Sequence, residues 1–421
     1  MNHLILYGAG LNLENAVETF LQQGRTPTCI VDRSPKKHGQ IKKYKGLSLE
    51  IMNLETANKR FPNSDFFITP NAPTKFEIME FLLGWGLTTD RILNFQPYAK
   101  IRTCNQRNRV ILEETALYLC CKSSHNQKRP KISVSNKENE QLLAEYFTLS
   151  TKTFQDLRNH EETDFCQNCS DIFESYMAID ETQNIETLGF DTGFICNYNC
   201  CYCSAYRLQS TEQRLNQTNR MLDFAKYLYQ NGIIGQNTDI SIANGELSIN
   251  PLLTEILDTF RQSNLTLFTN GQLYSKEIEE ILKLGKSTIN ISLDAGTPQT
   301  FKAIKNKNGT ADFDIVCQNI RRYAKYAPIE LKYILMIGKN DSTDDICGFL
   351  DFAQSCPNVK CVILSHDFFG LTDFEADIDK IVEKLRYFVE QTHKRGLYMV
   401  SMMYSENMAR IVKKLLTNGV K

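Results

Sequence analysis

Between residues 187 and 364 the chain alternates short apolar runs with helical stretches, and this rhythm constrains its fold more than any other feature. Six runs, 187–194, 239–243, 265–268, 288–293, 329–336 and 361–364, have the length of strands. The segments between them are long enough to return the chain to the same end of a sheet through a helix. Repetition of that unit predicts an α/β architecture over 186–370, a partial (βα)6 barrel of the TIM type. Loops that follow the strands then share one mouth, where such barrels carry their active sites.

Upstream the pattern is smaller. An apolar run at 3–7 leads through Gly8-Ala9-Gly10 into an amphipathic stretch at 12–23, and a second run at 28–31 ends at Asp32. Further expected elements are a strand at 65–69, a helix at 75–83 and a strand at 91–95. Residues 1–100 therefore read as a small Rossmann-like parallel α/β domain, a nucleotide-binding unit or a scaffold. Residues 101–185 are more polar and read as a cysteine-bearing linker module with one helix at 138–157. A helix–strand–helix extension is expected over 371–421, its strand at 397–403.

The 48 Lys+Arg and 49 Asp+Glu nearly cancel, which gives no basic field of the kind that supports nucleic-acid binding. The first residues lack a basic leader, and no apolar run approaches the roughly 20 residues that cross a bilayer. A cytoplasmic protein with no membrane or nucleic-acid partner is expected. In that setting fourteen cysteines are better read as metal or redox groups than as a disulfide framework.

Their positions sharpen this reading. Cys196, Cys200 and Cys203 lie in one loop after the first barrel strand, in the segment Cys196-Asn-Tyr-Asn-Cys200-Cys201-Tyr202-Cys203. Three thiolates from one loop can hold an iron–sulfur cube and leave its fourth iron without a protein ligand. The segment resembles the CxxxCxΦC signature of the radical S-adenosylmethionine superfamily, with Tyr202 as the aromatic residue. The resemblance implies a [4Fe–4S] cluster on Cys196, Cys200 and Cys203, with the methionine moiety of S-adenosylmethionine on the open iron. One-electron cleavage of the sulfonium would then give a 5′-deoxyadenosyl radical that abstracts hydrogen from the substrate.

Later segments fit the same family order. Asn244-Gly245-Glu246 resembles the glycine-glycine-glutamate element that receives the methionine amino group, with Asn in place of the first glycine. An Asn tolerates left-handed backbone angles better than most residues, so the turn is expected to survive. Phe268-Thr269-Asn270-Gly271 closes the third strand, and Ser292-Leu293-Asp294 resembles the ribose-binding element. Lys332 and Met336 are expected on one face of the fifth strand, with Asn340 in the following loop, as contacts to the cofactor. A reducing partner such as a flavodoxin or ferredoxin is also implied.

Cys120, Cys121, Cys166 and Cys169 form two close pairs around the linker helix, with Cys104 as a replacement ligand. An auxiliary iron–sulfur cluster, structural zinc and unligated thiols are all open readings of this second set. In the N-terminal domain Gly8, Gly10 and Asp32 make half of a dinucleotide fingerprint, with Leu13 where the third glycine would stand. That region also resembles the nucleotide-binding domains that precede sugar acyltransferases. His366 and Asp367, and more weakly Tyr404 and Glu406, are expected near the barrel mouth.

The combined expectation is a radical S-adenosylmethionine enzyme, an oxidoreductase or a rearranging enzyme. Its substrate would be a small molecule, a nucleotide-linked compound or a peptide. The rival is a noncatalytic protein that binds zinc and a nucleotide, and it leaves the segments at 244–246 and 292–294 without a function.

Overall fold

The computed structural model describes residues 3–10, 12–71, 73–104, 107–113, 115–119, 130–161, 166, 172–178, 184–203, 211–305, 311–366, 374–402 and 410–414. The chain forms two compact units, one of Met1–Asn105, Phe154–Glu162 and Asp171–Thr182, the other of Gln106–Thr153, Thr163–Ser170 and Gln183–Lys421.

The first unit is built on β1 (Leu4–Tyr7), β2 (Cys29–Val31), β3 (Ile41–Tyr44), β4 (Leu47–Met52) and β5 (Asp65–Ile68), in the order β3-β4-β2-β1-β5. Every residue of β1 is buried, because alternate side chains enter two different cores. Ile5 and Tyr7 pack with Phe76, Met79 and Leu82 of α3 (Thr74–Gly84). Leu4 and Leu6 pack with Leu13, Val17 and Phe20 of α1 (Leu13–Gln22). A short α2 (Leu54–Arg60) starts at Asn53, whose side chain caps the Thr56 amide. A separate antiparallel pair, β6 (Tyr98–Cys104) with β10 (Ile172–Ala178), completes the unit. Two sequence expectations are corrected here. The sheet is not purely parallel, since β3 runs antiparallel to β4, and 91–95 is no strand but a single bridge from Ile92 to Phe66 after a tight turn.

The larger unit holds β7 (Arg109–Glu113), β8 (Ala116–Tyr118), β9 (Lys131–Ser133), β11 (Thr187–Asp191), β12 (Asp239–Ala243), β13 (Asn264–Thr269), β14 (Ser287–Ser292), β15 (Ile329–Leu335), β16 (Val359–His366) and β17 (Met399–Met402). The sheet order is β17-β16-β15-β14-β13-β12-β11-β7-β8-β9, parallel from β17 to β7, with an antiparallel edge at β8 and β9. The connections include α4 (Asn139–Arg158), α5 (Thr211–Gln230), α6 (Leu253–Phe260), α7 (Lys276–Leu282), α8 (Pro298–Lys305), α9 (Phe313–Tyr323), α10 (Thr343–Ser355) and α11 (Phe374–Lys394). Among the described residues this is an open parallel sheet wound in chain order, as a partial TIM barrel is, rather than a closed one. Six strands were expected. The structure adds β7 from the stretch read as a linker and β17 from the extension, so residues 101–185 are divided between the two units.

Strand alternation orients the inner and outer faces. Ile240, Ile242, Leu265, Leu267, Ile289 and Ile291 join one core with helix residues such as Leu222, Phe260, Ile281, Ile320 and Phe349. The opposite face carries Ser241, Thr266 and Thr288 in adjacent register, all half-buried. Ser275, Asp312 and Ser342 each cap the helix that follows, accepting from Ile278, Ile315 and Asp345 amides.

One close approach fixes the loop after β14. A Cβ on Gly296 would stand 1.8 Å from the Asp345 carbonyl oxygen and 2.3 Å from the Phe349 nitrogen of α10. Gly296→Ala must push this loop off α10 and is expected to destabilise the protein by about 1–3 kcal/mol. Gly235→Ala, where a Cβ meets nothing within 4 Å, is the control and should leave the urea midpoint near that of the parent.

Candidate active site

The thiol-bearing loop follows β11 and is shaped by a left-handed bend. Gly193 has φ +81° and Phe194 φ +56°, and a Cβ on Gly193 would lie 2.6 Å from the Thr218 hydroxyl. The Asp191 carboxylate accepts from the Gly193 amide at 2.8 Å and from the Asn244 side chain at 3.1 Å. Across the gap, Asn244 adopts φ +62° and Gly245 φ +111°. The turn expected of Asn in the first glycine's place is thus formed. Gly245 has no room for a side chain, since a Cβ would meet the Ile195 carbonyl oxygen at 2.9 Å, and the Glu246 amide donates to that carbonyl at 2.6 Å.

Cys196, Cys200 and Cys203 stand in this loop half-buried and as free thiols. Burial pushes the Cys196 thiol up to about 11, with the Tyr198 amide opposing and the charges of Glu246, Cys200 and Cys203 adding to the rise. Burial also raises Cys200, against the pull of Lys305. Among the described residues no three His, Cys, Asp or Glu side chains converge as ligands of a single metal ion do. Three thiols supplied by one loop are a donor set that suits a cluster with several metal corners.

The two carboxylates expected to meet the cofactor are committed to the protein. Glu246 is fully buried, and one of its oxygens accepts from the Ser248 amide at 3.0 Å, the Ser248 hydroxyl and the Thr269 hydroxyl at 2.6 Å. Its other oxygen accepts from the Asn270 amide at 2.5 Å. Asp294, also fully buried and at φ +56°, accepts from the Ile334 amide at 2.8 Å, from the Tyr202 hydroxyl at 2.6 Å and from the Lys305 ammonium. The ribose contact read into Asp294 thus falls on a carboxylate that already accepts from three donors of the protein, whereas Ser292 stays half-buried at the strand end.

Ser292 is paired in register with Lys332 on β15. Burial lowers the Lys332 pKa, the Asp294 charge works against that, and the Lys305 charge adds to it. Met336 is buried beyond the end of β15, packed with Ile304 and Ile334. Asn340 is a brace: it donates to the Asp294 and Ile334 carbonyls and accepts from the Met336 amide.

Sequence reasoning missed several neighbours. The Tyr198 hydroxyl donates to Gln272 at 2.6 Å, and the Asn270 side chain donates to Asn197 at 2.7 Å. Lys305, the last residue of α8, is 1% exposed and donates to the Tyr202 hydroxyl at 2.6 Å. No motif marks Gln272 or Lys305. Only the pairing of distant segments brings them to the loop.

His366 is buried at the end of β16. Asp367, Tyr404, Glu406, Cys120, Cys121 and Cys169 lie outside the described residues. Cys166 is half-buried, and Cys104 ends β6. In the N-terminal unit Gly8 has φ +109° and Asp32 accepts from the Ala9 amide at 2.9 Å. Among the described residues no helix is long and apolar enough to cross a membrane.

The model of the radical SAM superfamily matches residues 191–353, the stretch from the end of β11 into α10, so this stretch is a radical SAM domain. Members of the superfamily use a [4Fe–4S] cluster and S-adenosylmethionine, and the thiol loop suits the cluster. The chain is similar to a probable GTP 3′,8-cyclase of Methanococcus aeolicus, 24% identical over 202 residues, which are 45% of this chain and 63% of that one. It is also similar to the mitochondrial GTP 3′,8-cyclase of Arabidopsis thaliana, 27% identical over 177 residues, 40% of this chain and 43% of the relative. The chain therefore spans less than two thirds of the length of these curated relatives. Among solved structures it is similar to Streptococcus suis SuiB bound to S-adenosylmethionine, with a TM-score of 0.43, 13% identity and 76% of each chain covered.

Glu246→Gln would set an amide group against donors that now meet an acceptor. Leaving such buried groups unsatisfied costs about 1–3 kcal/mol, and the loss should appear in urea unfolding of the metal-free protein.

Proposed function

We propose that this chain is an enzyme that begins its reaction by taking a hydrogen atom from its substrate, with the cluster on Cys196, Cys200 and Cys203 and S-adenosylmethionine beside it. The observation that carries the reading is the thiol loop itself. Three half-buried thiols sit at the C-terminal end of a parallel sheet, locked to the turn at Asn244-Gly245. When bound, the group supplies one-electron cleavage of a sulfonium and hence a hydrogen-abstracting species.

The residues of this chain hold and orient. Ser292 offers a hydroxyl to a sugar diol, and Lys332 in the next strand offers an ammonium to a carboxylate. The left-handed turn at Asn244 and Gly245 presents backbone groups to an amino group. Glu246 and Asp294 act one layer further out, fixing the strand ends that carry these contacts. Cys120, Cys121, Cys166 and Cys169 remain candidate ligands of a second cluster or of a zinc ion.

GTP is the first substrate to offer, because it stands in the names of the similar cyclases. Protein purified without oxygen is expected to contain iron and sulfide, and to form 5′-deoxyadenosine from S-adenosylmethionine when dithionite is added. Cys203→Ala should reduce that product to background. Zinc in place of iron, or no 5′-deoxyadenosine from iron-loaded protein, would sink the proposal. If 5′-deoxyadenosine forms while GTP stays unchanged, GTP is retired as substrate and the radical chemistry stands.

A further inference from the structure

We propose that Lys305 is a positioning residue of the thiol loop, and that its buried ammonium supplies the positive charge that eases one-electron reduction of the cluster held there. The inference rests on reading Cys196, Cys200 and Cys203 as cluster ligands.

Lysine is almost never fully buried unless it is paired, because its charge loses hydration. Lys305 is 1% exposed, and its ion-pair partner Asp294 is fully buried as well. The ammonium does more than meet that carboxylate. It donates to the Tyr202 hydroxyl at 2.6 Å, and that hydroxyl donates to Asp294 at 2.6 Å, so the three groups close a ring. One residue earlier, the Ile304 carbonyl accepts from the Cys201 amide at 2.9 Å. The last two residues of α8 thus grip residues 201 and 202, the two that separate Cys200 from Cys203. Ile304 also packs with Ile334 and Met336 against Cys201 and Tyr202.

A merely structural grip would not need a charge. An apolar side chain of similar volume could hold α8 against the loop without desolvating an ion pair. Charges act strongly in such a poorly solvated place, and an electron added to the cluster is stabilised by a cation held nearby.

The test measures the midpoint potential of the reconstituted full-length protein by mediated titration under spectroscopic observation, with iron and sulfide counted in every sample. Lys305→Met should make reduction about tenfold harder, a shift of about 59 mV for one electron. Asp294→Asn should move the potential the opposite way. The double variant should return close to the parent, and Lys305→Arg, which keeps the charge, should stay there. Loosening of the loop without an electrostatic role would not reverse sign between Lys305→Met and Asp294→Asn. If Lys305→Met does not fold, Asp294→Asn and the double variant still decide. Unchanged potentials in fully loaded variants overturn the role of Lys305 alone. A parent protein that takes up no iron overturns the cluster reading instead.

Discussion

A loop without secondary structure must still satisfy its buried amides and carbonyls, and that requirement organises the site. The Thr192 carbonyl accepts from the Asn250 side chain, the Phe194 carbonyl from Arg214 of α5, and the Ile195 carbonyl from the Glu246 amide. Two of these partners come from the loop after β12 and one from α5, so the positions of the thiols follow from the way β11, β12 and α5 are assembled. Glu246 extends the stitching to β13 through Thr269 and Asn270. Asp294 extends it from β14 to β15 through the Ile334 amide. Neighbouring strand ends are tied by side chains where the ladder hydrogen bonds run out.

This stitching separates two layers of polar residues. Glu246 and Asp294 look in the sequence like ligand contacts, since acidic residues after barrel strands usually face the mouth. Both are fully buried and accept from donors of the protein. Asn244, Gly245, Ser292 and Lys332 are the positions proposed to meet a ligand, and burial disfavours the charged form of Lys332. Polar networks in which every member is satisfied rigidify their surroundings. The carboxylates therefore hold the geometry on which the outer contacts depend.

Much of this was legible in the sequence where the cause is local. Short apolar runs between helical stretches located β12 at its observed bounds and β13 to β16 to within a few residues, and the left-handed tolerance of Asn accounted for φ +62° at position 244. The parts that escaped are set by long-range pairing. The run Arg109–Glu113 is only five residues long, and nothing local shows that it pairs with a strand more than seventy positions later. The β3–β4 hairpin has its outer strand exposed, with the sequence IKKY, so it carries no hydrophobic signal. Lys305 sits on an amphipathic helix among other lysines, and one-dimensional reasoning places it in solvent. Its burial follows from Tyr202 and Asp294 arriving from segments 103 and 11 residues away.

The N-terminal unit follows the same logic with a different outcome. Its glycine turn stands after β1, with Asp32 at the end of β2, as in domains where the acidic residue reads a ribose. Here burial pushes the Asp32 carboxyl up, but Lys37 and the amides of Ser34 and Ala9 outweigh it and hold the group below the usual range. One oxygen accepts from Ala9 and Lys37, the other from Ser34. The carboxylate closes the turn on itself instead of opening it to a diol. Gly8 is held as tightly, since a Cβ there would lie 2.7 Å from the Thr69 hydroxyl, which donates to the Gly8 carbonyl. A turn whose donors and carboxylate already satisfy one another stabilises the fold of the unit. A nucleotide placed here would share that carboxylate with the three donors it already accepts from, and the turn's own geometry accounts for Gly8 and Asp32 with or without such a ligand.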